Sequence, residues 1–126
     1  MLSKKIAFVT GSNGGIGKAI VKSLAKNNAK IICAVRKKDK KFINFAKRYK
    51  KNIIDIIEFD IKKESQVKKK IEYLYKKKKS INILINCAGK ASGSITEMTP
   101  IKLIKNIFDI NFFSQIRITQ HLLKFL

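Results

Sequence analysis

Four glycines fall within the seven residues Gly11 to Gly17 of Thr10-Gly11-Ser12-Asn13-Gly14-Gly15-Ile16-Gly17, between an apolar run, Ile6-Ala7-Phe8-Val9, and the helical spacing Ile16, Ile20, Leu24. Glycines at a strand-to-helix turn let the backbone take positive φ and come close to a ligand. The first turn of the helix adds free N–H donors and a partial positive charge. That chemistry suits a pyrophosphate, and the candidate binding residues here are Thr10, Gly11, Ser12, Asn13, Gly15, Ile16 and Gly17. A turn serving structure alone is the alternative.

Other polar residues follow apolar runs in the same manner. Arg36 comes after Lys30-Ile31-Ile32-Cys33-Ala34-Val35, about 20 residues beyond the glycines, the separation at which a dinucleotide-binding chain reads the adenosine ribose. An acid there accepts from the 2′-hydroxyl of NAD. Val35-Arg36-Lys37-Lys38 instead suits a 2′-phosphate through charge-assisted hydrogen bonds, or else simply begins a basic loop. Asp60-Ile61 follows Ile53–Phe59, and Asp60 would equally serve as a cap of the next helix. Asn86-Cys87-Ala88-Gly89 ends a further run, Ile81–Ile85.

The elements that must position these residues alternate. Strands are expected at residues 6–9, 30–35, 53–59 and 81–85. Between them lie helices: one to about Asn28, one capped by Asp39 with Phe42, Phe45, Ala46 and Tyr49 on its apolar face and closed by Asn52, and one with Val67, Ile71 and Leu74. This rhythm demands parallel pairing with crossover helices, a Rossmann-type doubly wound α/β sheet forming one domain over residues 1–126. Thr99-Pro100 should open a last helix with proline at its first position. Its apolar positions Ile116, Thr119, Leu123 and Leu126 remain in phase to the end, so the expected architecture is truncated after the fourth strand and the helix that follows it.

Composition narrows the function classes. A net charge of +21 raises nucleic acid or an anionic membrane as partners, but only three of the 29 basic residues are arginines, Arg36, Arg48 and Arg117, and base readers lean on arginine forks. A solvated lysine surface is expected, with no specific nucleic-acid partner. With no apolar run near the ~20 residues of a span, and no signal-peptide pattern before the first strand, the expected location is cytoplasmic with no membrane partner. Cys33 and Cys87 are both expected inside strands as buried free thiols, and His121 as a surface or core-edge residue. No metal cluster is expected.

Taken together, Thr10, Gly11, Gly15 and Gly17 match Thr-Gly-x-x-x-Gly-x-Gly, and Asn86-Cys87-Ala88-Gly89 matches Asn-Asn-Ala-Gly with one change. The chain resembles the amino-terminal half of a classical short-chain dehydrogenase/reductase, closest in look to 3-oxoacyl-acyl-carrier-protein reductases. The resemblance implies NADP(H) as cofactor, hydride transfer to or from a small carbonyl or alcohol substrate, and a homo-oligomeric full-length protein. It implies cofactor roles for Asp60, Ile61, Asn86, Ala88 and Gly89 beside those above. Asn111 falls where the family carries its catalytic asparagine, which distorts its helix and anchors a water in a proton relay. The family's catalytic Ser and Tyr-x-x-x-Lys fall on elements beyond residue 126, so the chain by itself is expected to be inactive. Tyr73 with Lys77 and Tyr75 with Lys79 match Tyr-x-x-x-Lys, but upstream of Asn86 in a lysine run, and are expected to be decoys. A non-catalytic dinucleotide-binding module and a lysine-rich nucleic-acid binder are the competing readings.

Overall fold

The computed structural model of the chain describes residues 1–77 and 80–126. In chain order the described elements are β1 (Ile6–Thr10), α1 (Gly15–Lys26), β2 (Lys30–Val35), α2 (Lys40–Arg48), β3 (Ile53–Glu58), α3 (Glu64–Lys76), β4 (Ile83–Ile85), a 3-10 turn (Thr96–Met98), α4 (Ile101–Phe108), a π-helical turn (Asp109–Phe113) and α5 (Ser114–Leu122). The strands form one parallel sheet in the order β3-β2-β1-β4. This is the doubly wound α/β arrangement that the alternation of runs demands.

Period-two alternation sends each strand's side chains to two separate cores. Ala7 and Val9 of β1 and Ile31, Cys33 and Val35 of β2 pack with Val21, Leu24 and Ala25 of α1 and Phe42 of α2. Phe8, Ile32 and Ala34 point the other way and pack with Val67, Ile71 and Leu74 of α3 and Ile118 and Leu122 of α5. Because both faces of β1 and β2 are covered, their sequences read as continuous apolar runs.

Local chemistry sets the boundaries. Asp39 caps α2 by accepting from Phe42 N at 2.8 Å. Asn28 closes α1 in the left-handed region at φ 63°, where Ala29 N can donate back to Leu24 O at 3.0 Å. Asn52 ends the α2 segment and donates from Nδ2 to Ala29 O at 3.0 Å, tying the start of β3 to that of β2.

The structure corrects several expectations. β4 begins at Ile83, two residues later than Ile81, and Cys87 lies beyond it in a loop, partly exposed, where the sequence run placed it in a buried strand. Pro100 precedes the last helical segment as its cap. That segment is not one regular helix: the π-helical turn divides it, and an i to i+5 turn accommodates one residue more than the α pattern. The stripe that reaches the core is therefore Ser114, Ile118 and Leu122, whereas Ile116, Leu123 and Leu126 are exposed.

Candidate functional site

From β1 the chain winds outward through β2 to β3 and then returns to the other side of β1 as β4, which makes the carboxyl ends of β1 and β4 the topological switch point where α/β sheets bind ligands. Thr10 holds that point together. Its hydroxyl oxygen accepts from Cys87 N at 3.0 Å and Ala88 N at 3.1 Å, which ties the glycine turn after β1 to the loop after β4. Gly11 follows at φ 62°, and a Cβ there would lie 2.7 Å from Ala88 Cα. At Gly17 a Cβ would lie 2.0 Å from Gly11 O. These two glycines are required by the turn's own packing. Around Gly15, in contrast, nothing lies within 4 Å of where a Cβ would be.

A cavity of about 280 Å³ opens at the switch point. Its walls are Gly11, Asn13 and Gly14 of the turn; Ala34, Val35 and Arg36 where β2 ends; residues 59–62 after β3; residues 87–90 after β4; and Ile110 of the π-helical turn. Of the residues picked out in the sequence, Gly11, Asn13, Arg36, Asp60, Ile61, Ala88 and Gly89 line it. The others sit around it. Ser12 is fully buried and donates its hydroxyl to Val9 O at 2.6 Å, so what it can offer a ligand is backbone. Gly15 and Ile16 open α1, whose cap Gly14 supplies no side-chain acceptor, and Ile16 is 74% exposed. Asn86 donates from Nδ2 to Thr119 Oγ1 of α5 at 3.2 Å.

The polar wall residues are fixed by short bonds. Asp60 Oδ1 accepts from Lys62 N at 3.0 Å and Asp60 N donates to Gln66 Oε1 at 2.9 Å; the cap position of α3 is Lys63, so Asp60 shapes the loop instead of capping the helix. Glu58 Oε2 accepts from Lys38 N at 2.7 Å, which ties the basic loop after Arg36 back to β3. Burial pushes the Cys33 thiol up to about 11 despite a hydrogen bond with Ser12, which leaves it a protonated, inert core group.

Asn111 sits in the π-helical turn, and both ends of its amide are engaged by one backbone unit. Lys90 N donates to Asn111 Oδ1 at 2.8 Å, and Asn111 Nδ2 donates to Lys90 O at 2.7 Å. The side chain thereby clamps residues 89–90, which form part of the cavity wall, across 21 residues of chain. Sequence reasoning did not single out Lys62, Lys90, Phe59 or Ile110 as wall residues. Phe59 and Lys62 flank Asp60-Ile61, and Lys90 follows Gly89, so these lay within reach, whereas Ile110 joins the site only through the π-helical turn. Tyr73 and Lys77 lie in the last turn of α3 and at its cap, at the end opposite Glu64, with the ammonium 4.5 Å from the ring centroid. Tyr75 stacks on Phe125 at 4.6 Å, and Lys79 lies outside the described residues.

The family model described as short chain dehydrogenase matches residues 5–126. The chain belongs to the short-chain dehydrogenase family. It is 33% identical over 122 residues to an NADPH-dependent 3-dehydrocapnine reductase of Ornithobacterium rhinotracheale, covering 94% of this chain and 42% of that protein. It is 36% identical over 114 residues to the 3-oxoacyl-(acyl-carrier-protein) reductase FabG of Buchnera aphidicola from Schizaphis graminum, covering 90% and 46%. Among solved structures it superposes on the RhlG/NADP active-site complex of Pseudomonas aeruginosa with a TM-score of 0.87 at 27% identity, covering 99% of this chain and 49% of that one. A short-chain dehydrogenase of Streptomyces avermitilis shares the fold at a TM-score of 0.88. The chain thus spans less than half the length of these relatives.

Proposed function

We propose that this short-chain dehydrogenase chain forms the NADP(H)-binding part of an oxidoreductase that moves a hydride between NADP(H) and a carbonyl or alcohol substrate. One observation carries the reading: Arg36 lies on the wall of the switch-point cavity where β2 ends, preceded by Val35, with no acid at either position to accept from a ribose 2′-hydroxyl. A guanidinium there favours a 2′-phosphate. The NADPH-dependent relative and the structure solved with NADP support the same choice.

When bound, the dinucleotide supplies the hydride. The chain's own residues bind and orient it. Backbone N–H groups at the start of α1 would hold the pyrophosphate, Asp60 and Ile61 would form the adenine wall, and Arg36 would pair with the 2′-phosphate. Asn111 would act by holding the backbone of residues 89–90 in place beside the nicotinamide half. Reduction of a 3-oxoacyl thioester is the substrate reading that similarity to the 3-oxoacyl reductase favours.

Titration of NADPH and NADH into the wild type and Arg36→Ala tests this. A charge-assisted hydrogen bond to phosphate contributes about 1.5 to 3 kcal/mol, so NADPH should bind roughly ten- to a hundredfold more tightly than NADH, and Arg36→Ala should remove most of that preference. Equal affinities in the wild type, or an unchanged ratio in Arg36→Ala, would overturn it.

A further inference from the structure

Arg117 on α5 lies outside the cavity, yet its guanidinium is bonded on every side. Nε lies 2.9 Å from Glu64 Oε2 in the first turn of α3, and Nη2 lies 3.4 Å from Asp109 Oδ1 in the π-helical turn. Nη1 donates to Ile61 O at 2.9 Å and to Ser114 Oγ at 3.3 Å. Glu64 is itself held from its other oxygen, Oε1, by His121 Nε2 at 2.7 Å. The side chain is 19% exposed.

The two acids fix where the guanidinium stands, and the guanidinium then fixes a backbone carbonyl. That carbonyl belongs to Ile61, a wall residue of the cavity, in the loop between β3 and α3. The rest of the loop is tied by Asp60 N to Gln66 Oε1, by Lys63 N to Asp60 O at 3.0 Å and by Lys62 Nζ to Asn106 Oδ1 at 3.0 Å. The peptide joining Ile61 to Lys62 is held at both ends: its N–H donates to Asp60 Oδ1 at 3.0 Å, and its carbonyl accepts from Arg117, 56 residues further along the chain. A rigid planar fork can hold a carboxylate and a carbonyl in one fixed relation; a lysine ammonium, with rotatable donors at a single point, cannot span both.

We propose that Arg117 is a positioning residue for the adenosine half of the dinucleotide, setting the Asp60-Ile61 wall through the Ile61 carbonyl. This rests on the cofactor reading above. The wall would determine how well the adenine is enclosed; the bonds of Arg117 go to Glu64, Asp109, Ile61 and Ser114, whereas residues 87–90, which would bound the nicotinamide half, are held by Thr10 and Asn111.

The test is calorimetric titration of the full chain with adenosine 2′,5′-bisphosphate, with reduced nicotinamide mononucleotide and with NADPH, in wild type, Arg117→Lys and Arg117→Met, with a melting curve for each. Arg117→Met should weaken adenosine 2′,5′-bisphosphate and NADPH about tenfold and leave the mononucleotide unchanged, with Arg117→Lys weakened about threefold in the same pattern. A folded Arg117→Met with wild-type affinity for the bisphosphate overturns the proposal. So does a loss shared equally by both halves, the mark of general loosening. If Arg117→Met does not fold, Arg117→Lys carries the test: the same selectivity between halves supports the proposal, and none overturns it. A wild type that binds neither NADPH nor the bisphosphate refutes the cofactor reading itself, and this inference with it.

Discussion

Gly15 separates two reasons for a glycine that look identical in a sequence. Gly11 and Gly17 are demanded by the chain, since side chains there would collide with Ala88 and with Gly11 O, whereas Gly15 has empty space around the place of a Cβ. Replacement of Gly15 by alanine should therefore leave folding intact, or favour it by up to about 1 kcal/mol given the better helix propensity of alanine. On the proposed function its cost should appear in dinucleotide affinity, about tenfold or more, because the added methyl would stand at the start of α1 where the pyrophosphate would sit. Urea unfolding and NADPH titration of Gly15→Ala measure the two effects separately, and a variant that unfolds early but binds normally contradicts this assignment. Gly11→Ala should fail to fold, since positive φ and a 2.7 Å contact act together. The glycine pattern was legible from the sequence because spacing records it. Which glycine answers to the chain's own packing and which has open space around it depends on Ala88, 77 residues away from Gly11, and no local pattern records that.

Elements were legible where one physical rule decided them, and illegible where two competed. Continuous apolar runs gave β1 to β3, and Asp39 gave the start of α2, because burial and capping act locally. The phase of α5 was not legible: the π-helical turn rotates everything after it, and Ser114, fully buried, donates to Asp109 O at 2.6 Å where a pattern of apolar residues would place it outside. The contact between α3 and α5 carries a pH dependence. The hydrogen bond with His121 is the largest influence on the Glu64 carboxyl and, with lesser help from the His121 charge and from Arg117, holds it below its ordinary value of 4.5 against the opposing desolvation. A carboxyl depressed by folding stabilises the native state above its unfolded pKa, and that contribution is lost as pH falls through the folded value. Urea midpoints measured from about pH 6 down to about pH 3 should fall more steeply in the wild type than in Glu64→Gln, and parallel curves would remove Glu64 from the acid response.

Across the whole molecule, charge and apolar surface are distributed in ways that predict opposite kinds of association. Lysines dominate the +21 charge, so any binding to DNA or RNA should be electrostatic and vanish as salt approaches physiological strength; sequence-selective binding that survives there would speak for a dedicated interface. Apolar association should behave otherwise. Phe108, Phe112, Phe113, Ile116 and Leu123 are each at least 41% exposed along α4, the π-helical turn and α5 with its cap, a run of large apolar side chains that favours burial against a second surface. Residues 1–126 expressed alone should therefore elute above the monomer mass, more so at high salt, and Phe112→Ser with Ile116→Lys should return them to monomer; a monomeric wild type would show the face is tolerated in water. Thr10 adds a constraint of another kind, one of time. On a ribosome, β1, α1 and β2 emerge and can pair long before Cys87 and Ala88 exist, so the Thr10 hydroxyl waits some 77 residues for the N–H groups it accepts. Until then the glycine turn has no lid on its β4 side. The site is thus among the last parts of this chain to be completed during synthesis, and a nascent protein stalled before β4 should be unable to retain a dinucleotide however well its first half has folded.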